Sequence, residues 1–239
     1  MKSILRLAAA LLLAALTCQH VQAQNRRYSF GFFVDPQVSW LHSDNKKRFD
    51  TQGSMLTVNM GFDAEKFFAT RYSILSGVSL NFLGGHVLHN EATTLHSVNS
   101  SYALLPGAKV KYRGQYITVP LGLKFRSIEI VYTTIYASVG LKAHARLRGY
   151  TWVDEAQVLS IPPEALTKEK TSDHFYPVFG SFYVTAGIEQ SLGGESSLQF
   201  GITYTGGITP MINTQKATDS DTSTSISNHS IGLRIGFIF

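Results

Sequence analysis

Apolar residues recur at every second position in eight stretches of this chain, and the residues between them are polar or small. In the clearest stretch, residues 135–147, the apolar positions are Ile135, Ala137, Val139, Leu141, Ala143, Ala145 and Leu147. A period of two places successive side chains on opposite faces of an extended strand. No window of comparable length has a helical period, so the pattern predicts an all-β protein with eight strands.

The segments between these stretches alternate between short and long. Short turns are expected near residues 66–70, 127–130 and 191–197. Long loops are expected at about residues 43–55, 84–115, 149–173 and 209–225. An even strand count with short turns at one end and long loops at the other is typical of outer-membrane barrels. We therefore predict a single eight-stranded antiparallel up-and-down transmembrane β-barrel with short periplasmic turns and long extracellular loops.

A soluble eight-stranded barrel has the same alternation, so periodicity alone does not decide which face is outside. Aromatic residues gather near strand ends on the apolar face, as in the interfacial girdles of membrane barrels: Phe30, Trp40, Phe82, Phe125, Tyr204, Phe237 and Phe239. Most stretches also reach the roughly 9–11 residues that a tilted strand needs to cross a bilayer. Both features favour the membrane barrel, with the apolar face toward lipid.

The N-terminal segment has the features of a secretory signal peptide. Lys2 and Arg6 precede a run of Leu and Ala, and a small-residue site ends at Ala23. We predict a signal peptide at residues 1–23, cleaved after Ala23 on the Sec pathway, and a barrel domain at residues 24–239. The only cysteine, Cys18, lies in the leader, so disulfides are not expected in the mature chain. Loss of Lys2 and Arg6 with the leader would lower the net charge from +5 to about +3, which is too mild to suggest nucleic-acid binding.

Ionisable residues on the polar face are expected to form a charge network inside the barrel. They are Asp35, Asp63, Glu65, Lys124, Lys142, His144, Arg146, Arg148, Glu189 and Arg234. One interpretation is an anion path along the basic residues of the fifth strand. We favour a packed polar core, because an eight-stranded barrel is barely wide enough for its own side chains. Asp35 and Arg234 lie on strands that must pair at closure, and we expect them to interact directly or through one neighbour.

Candidate chemistry outside the lumen is sparse. His86, His89, Glu91 and His96 have a spacing that suggests a metal site, but such spacing in a polar loop is weak support. A lipid-modifying enzyme would need a serine oriented by a histidine, and alternation puts His229 and Ser230 on opposite faces. We therefore expect no enzymatic activity, no cofactor and no metal.

Several segments resemble the PorT-like outer-membrane β-barrel family of Bacteroidetes, which are Gram-negative bacteria. The resemblance lies in Gly31 to Leu41, in S-G-V-S-L from Ser76, in V-P-L-G-L-K-F from Val119 and in G-L-R-I-G-F from Gly232. It covers the mature chain, although its motifs are loose. It implies an eight-stranded barrel in the cell outer membrane and little chemistry. Its named member serves the type IX protein secretion system, while many relatives have no assigned role.

The closing stretch also resembles the C-terminal signal that outer-membrane barrels present to their assembly machinery. The residues of this predicted signal are Leu233, Ile235, Phe237 and Phe239. Expected partners are outer-membrane lipid and lipopolysaccharide, the barrel-assembly machinery during insertion, and secretion-system or surface proteins. The leading function is a structural or interaction role through the extracellular loops. The alternatives are an accessory role in type IX secretion, a small anion-selective channel and a lipid-modifying enzyme.

Overall fold

Eight long strands form one closed antiparallel barrel. They are β1 (Tyr28–Ser43), β2 (Met55–Ala69), β3 (Tyr72–His89), β4 (Ala108–Arg126), β5 (Thr133–Val153), β6 (Val178–Gly193), β7 (Ser196–Gly207) and β8 (Ser225–Ile238). Each strand pairs with its neighbours in chain order, and β1 also pairs with β8, from Gly31 opposite Ile238 to Ser43 opposite Ile226. The predicted eight-stranded antiparallel up-and-down barrel is thereby confirmed.

The computed structural model describes residues 28–91, 93–96, 101–153, 169–170, 172–218 and 224–239. The predicted signal peptide, its cleavage site and Cys18 lie outside these ranges. Within them, no helix has the length and hydrophobicity to span a bilayer.

Short elements join the strands at one end of the barrel. They are the strands Phe49–Thr51, Thr93–His96, Ser101–Leu104, Glu169–Lys170 and Ile212–Asn213, the 3-10 turn Ser172–His174 and the helix α1 (Thr214–Ala217). We call this the long-loop end. The opposite end, where residues 70–71, 127–132 and 194–195 connect neighbouring strands, is the short-turn end. Gly193 and Gly194 adopt positive φ at the last of these connections, a conformation that glycine adopts without steric cost.

Burial alternates along the strands as the sequence pattern requires. On β1, Phe32 is 49% exposed whereas Asp35 is 2% exposed. The exposed residues of all eight strands are mainly Val, Leu, Ile and Phe, and they form a belt around the barrel. An apolar surface of this extent is unfavourable in water and favourable in lipid. The apolar face is therefore the outer face, as predicted.

The strands project further at the long-loop end than the sequence pattern indicated. Residues 84–115 were expected to be loop, but β3 continues to His89 and β4 begins at Ala108. His86 pairs with Lys111 and His89 with Ala108. In the extension of β4 the alternation is the reverse of that in the membrane-spanning part: the outward residues are Lys109, Lys111 and Arg113, and the inward residues are Ala108, Val110 and Tyr112. A search for outward apolar residues therefore misses them.

A β-bulge in β5 changes which face its last residues occupy. Gln115 pairs with Arg148, but the next residue, Tyr116, pairs with Arg146, so Leu147 is an extra residue. A bulge of this kind shifts the side-chain alternation by one position. Arg148 is consequently exposed on the outer wall, and the prediction that it lies in the lumen is wrong.

Tyrosine rings lie against inward-facing glycines in the barrel interior. A Cβ atom at Gly201 would lie 2.3 Å from the Tyr136 hydroxyl, and one at Gly122 would lie 2.4 Å from the Tyr183 hydroxyl. Tyr136 and Tyr183 are buried, so their rings have little room to move away. Glycine at these two positions makes the space that the rings occupy.

We expect the substitution Gly201→Ala to destabilise the barrel, because the new methyl group overlaps the Tyr136 hydroxyl. Overpacking of this kind typically costs about 1–3 kcal/mol. The measurement is urea unfolding of the barrel refolded in lipid vesicles. Adding Tyr136→Phe, which removes the overlapping hydroxyl, should recover part of the loss.

Gly180→Ala is the matched control, because nothing lies within 4 Å of a Cβ atom at Gly180. Equal stability of Gly201→Ala and Gly180→Ala would contradict the packing described for Tyr136.

Candidate functional site

Four charged side chains near the short-turn end form a closed ion-pair cluster inside the barrel. Lys124 Nζ lies 2.7 Å from Glu65 Oε1 and 2.5 Å from Glu189 Oε1. Arg126 bridges the same two carboxylates, with Nη2 at 2.7 Å from Glu65 Oε2 and Nε at 2.7 Å from Glu189 Oε2. Ser73 Oγ donates a further hydrogen bond to Glu65. Two cations thus neutralise two carboxylates that come from different strands.

A second cluster lies at the seam between β1 and β8. The Arg234 guanidinium donates through Nε and Nη2 to Asp35, at 3.1 Å each, and through Nη1 to Asp63 at 3.0 Å. Asn59 donates to Asp35 Oδ2 at 3.1 Å, and the ring of Phe33 lies 4.0 Å from the guanidinium carbon. The interaction predicted between Asp35 and Arg234 is present as a direct bidentate contact.

The basic residues of β5 have separate partners. Lys142 donates to Thr205 Oγ1 at 3.0 Å, and its ammonium group lies 5.0 Å from the centre of the Tyr183 ring. His144 has Thr118 Oγ1 at 2.8 Å from Nδ1 and Ser181 Oγ at 2.7 Å from Nε2. Arg146 lies closer to the long-loop end and donates hydrogen bonds to the backbone carbonyls of Ser172 and Phe175 in the loop that follows β5.

The predicted charge network is therefore brought together only in part. Asp35, Asp63, Glu65, Lys124, Glu189 and Arg234 form ion pairs, whereas Lys142 and His144 make hydrogen bonds and Arg146 holds a loop. Arg148 is outside, as described above. Arg126 belongs to this network but was not among its predicted members, although it follows Lys124 by two positions and so lies on the same inward face.

An apolar cluster lies in the interior at the long-loop end. Its buried members are Leu41, Phe49, Leu83, Val87, Leu104, Ala108, Val110, Tyr112, Tyr116, Phe175, Phe179, Met211, Ile212 and Ile226. Phe49, Leu104, Phe175 and Met211 come from the four different long loops. We call this cluster the loop cap. The loops thus pack onto the barrel mouth.

His89 lies inside the loop cap, beyond the lipid-facing belt. Its ring packs edge-on against Phe49 at 5.1 Å, and its Nε2 lies 3.4 Å from the Tyr112 hydroxyl. Burial, and then the nearby His174, lowers the pKa of His89 to about 4. His89 is therefore uncharged at neutral pH and packs as part of the cap.

The metal-site hypothesis meets a geometric obstacle at His86 and His89. Both residues lie on strand β3, where positions three apart face opposite sides, so His86 is on the outer wall and His89 is inside. The side chain of His96 lies outside the described part. In the part of the chain that the structure describes, no group of three or more His, Cys, Asp or Glu side chains is arranged to hold a metal ion.

One serine does share the outer face with His229. Ser227 Oγ lies 3.4 Å from His229 Nε2, and the Tyr204 hydroxyl lies 3.0 Å from Nδ1. The Ser–His distance is longer than a good hydrogen bond. Among the described residues, no carboxylate contacts His229, so the group that would orient a catalytic base in a Ser–His–Asp arrangement is replaced by a phenol. This geometry is weak support for a hydrolase.

The residues of the predicted assembly signal lie on the outer face of β8. Leu233 and Ile235 are 58% and 49% exposed, and Phe237 packs at 5.7 Å from Phe32 of the first strand. Phe239 exchanges backbone hydrogen bonds with Phe30. These side chains therefore form part of the lipid-facing belt at the closing seam.

A family model named "Outer membrane protein beta-barrel domain" matches residues 22–213. The chain belongs to this family. The family and the closed barrel with its apolar belt place the protein in the outer membrane. No curated protein sequence matched this outer-membrane barrel.

Three solved outer-membrane proteins are similar to this chain at low sequence identity. Ail of Yersinia pestis, in complex with the heparin analogue sucrose octasulfate, is 11% identical with a TM-score of 0.40, covering 89% of this chain and 99% of that chain. OprG of Pseudomonas aeruginosa is 11% identical with a TM-score of 0.40, covering 91% and 99%. The outer-membrane protease OmpT of Escherichia coli is 5% identical with a TM-score of 0.41, covering 92% and 99%.

We expect Asp35 and Arg234 to be strongly coupled in stability. Removing one partner of a buried ion pair costs about 3–5 kcal/mol, because the other charge is left uncompensated, whereas removing both is milder. The double variant of Asp35→Asn and Arg234→Gln should therefore lose less stability than the two single losses added together. The measurement is a double-mutant cycle on unfolding in detergent or lipid.

The more exposed pair Arg48 and Glu91, whose charged atoms are 2.7 Å apart, is the control for this cycle. Its coupling should stay below about 1 kcal/mol, as for other solvent-exposed pairs. A coupling energy for Asp35 and Arg234 no larger than that of the control would contradict the seam cluster.

Proposed function

We propose that this protein is a closed outer-membrane barrel that has a structural or interaction role through its long loops, without transport or catalysis. The side chains that occupy the barrel interior are the main support for this proposal. Ion-pair clusters occupy the lumen, and the loop cap packs over its mouth at the long-loop end. A barrel closed in this way presents its surface, rather than a passage, to other molecules.

The charge balance of the lumen supports a packed core over an anion path. Lys124, Arg126 and Arg234 each contact two carboxylates. Lys142 donates a hydrogen bond to Thr205, and Arg146 donates hydrogen bonds to backbone carbonyls of the loop that follows β5. An anion entering this interior would have to break existing ion pairs and would meet the carboxylates left behind.

The orientation follows the usual arrangement of outer-membrane barrels, with short turns in the periplasm and long loops outside. The loop residues would then meet surface proteins, and the belt would meet lipid and lipopolysaccharide. An accessory role in type IX secretion rests only on the sequence resemblance to the PorT-like family. The C-terminal assembly signal likewise stays a prediction from the sequence.

Cysteines placed at the two ends of the barrel test the orientation and the interaction role together. We expect Lys46→Cys, in the exposed loop after β1, to react with a membrane-impermeant, photo-activatable maleimide on intact cells. Illumination should then crosslink the protein to a surface component, which mass spectrometry would identify. Type IX secretion proteins among the products would favour that accessory role.

Gly194→Cys at the short-turn end is the matched control, and it should react only after the outer membrane is permeabilised. Labelling of Gly194→Cys but not Lys46→Cys on intact cells would invert the orientation. Efficient labelling of Lys46→Cys without any crosslinked product would count against an interaction role for that loop.

Conductance measurements test the closed lumen. We expect the refolded protein to give no steady current steps in a planar lipid bilayer, because ion pairs occupy the lumen and the loop cap packs at its long-loop end. A general porin inserted in the same bilayer is the positive control. Steady anion-selective steps from this protein would overturn the packed-core interpretation and favour the channel.

A further inference from the structure

We propose that the outer wall carries a binding site for the phosphate group of an outer-leaflet lipid, formed by Lys111, Arg113 and Arg148. We call these three residues the basic patch. The inference depends on the proposed orientation, in which the long-loop end faces outside. It goes beyond general lipid contact, since it names the residues and the chemical group that they bind.

The three cations are neighbours on one outward face. Lys111 and Arg113 are two positions apart on β4, so their side chains point the same way. Arg148 pairs with Gln115 on the adjacent strand, and Arg113 pairs with Tyr150. Arg113 and Arg148 are therefore diagonal neighbours, about 7–8 Å apart at the backbone, a separation that long side chains bridge easily.

The basic patch lies immediately above the lipid-facing belt. On β4 the outward residues change from Lys111, Arg113 and Gln115 to Ile117 and Val119, which are 37% and 47% exposed. On β5 the same change occurs between exposed Leu147 and Arg148. The outward residues of β4 and β5 thus change from apolar to basic at the same height on the barrel wall. Lipid headgroups are expected to begin at this height.

The β-bulge at Leu147 brings Arg148 to this position. Without the extra residue, the alternation would point Arg148 into the lumen, as the sequence pattern predicted. Bulges commonly redirect a side chain next to a functional site. Here the redirected side chain joins Arg113 rather than the carboxylates of the interior.

Within the described ranges, no carboxylate forms an ion pair with Lys111, Arg113 or Arg148. The charged groups of Lys111 and Arg113 instead lie over aromatic rings, 5.4 Å from Trp152 and 5.7 Å from Phe82. Like charges at neighbouring sheet positions repel one another, so a bound anion would stabilise the arrangement.

The positive charges of this part of the wall also act on the neighbouring residue His86. His86 pairs with Lys111 from the other side, on β3. Burial, and then the charges of Lys109 and Lys111, lowers the pKa of His86. The shift is consistent with a positive potential on this part of the wall.

A phosphorylated lipid fits the chemistry of the basic patch better than other anions. Two guanidinium groups offer the planar, paired donors that suit phosphate oxygens. The residues below them are apolar and suit acyl chains, while Trp152 provides an interfacial aromatic ring. A headgroup phosphate attached to chains within the belt would satisfy both parts of this surface at once.

The test uses the full mature chain refolded in detergent, with binding of bisphosphorylated lipid A followed by native mass spectrometry. We expect bound lipid A to persist on the unmodified chain. Arg113→Gln combined with Arg148→Gln should weaken lipid A binding about tenfold or more, because the loss of even one charge-assisted contact corresponds to about that factor. Dephosphorylated lipid A should bind as weakly to the unmodified chain as lipid A binds to the variant.

The control variant is Lys66→Gln combined with Arg71→Gln, which removes the same charge from exposed positions at the short-turn end. It should bind lipid A like the unmodified chain. Arg113→Lys combined with Arg148→Lys keeps the charge and should bind with intermediate strength. It also provides a readout if the glutamine variant does not fold.

Three results would overturn the site. They are equal lipid A binding by the patch variants and the unmodified chain, equal binding of dephosphorylated lipid A, and equal loss in the short-turn control. Inorganic phosphate that competes at the same concentration as lipid A would show an ion site without lipid selectivity and would also overturn the proposal. Labelling of Lys46→Cys on cells reports the orientation separately, so failure of the lipid site and failure of the proposed function are distinguishable.

Discussion

The pairing of β1 with β8 is the constraint on which the rest of the structure depends. Inside a bilayer, each backbone N–H and C=O group must find a partner within the protein, and only closure of the sheet removes the unpaired edges. Closure makes one face of every strand contact lipid and the other face line a narrow interior. The apolar belt and the crowded lumen follow directly from it.

Crowding in the lumen accounts for the arrangement of its charges. A single buried charge is costly, so each must be matched by groups from strands that meet across the barrel. Glu65 and Glu189 share Lys124 and Arg126, and Arg234 spans two aspartates near the seam. These contacts join strands that are far apart in the chain, and they resist slippage of the register because a shifted strand would separate the partners.

The proposed function uses the outside of the barrel, because ion pairs occupy the lumen and the loop cap packs at its mouth. Two outer surfaces differ from an ordinary lipid-facing wall. The first is the surface of the packed loops, held at the mouth by the loop cap and by Arg146. The second is the basic patch beside the lipid belt. The partners that we propose for the two surfaces differ: proteins for the loops and a phosphorylated lipid for the basic patch.

The sequence by itself determined the strand count, the two faces of each strand, the closed barrel and the inward direction of Asp35, Lys124 and Arg234. The strands and their faces follow from the period of two, which is local, and the barrel follows from the even strand count with alternating short and long connections. It also supported the Asp35–Arg234 contact, because the first and last strands of a single-chain barrel must meet. The alternation failed at the long-loop end, where polar residues face outward and the extensions of β3 and β4 looked like loops.

Only the tertiary structure decided which charges meet, where Arg148 points and what closes the mouth. The strand register brings Lys124 and Arg126 into contact with Glu65 and Glu189. This register cannot be predicted from a local sequence pattern. One extra residue at Leu147 reverses the faces of β5, and its presence depends on pairing with β4. The loop cap joins residues from four separate loops. Each of these features arises from contacts between distant parts of the chain, so the folded barrel has to bring them together.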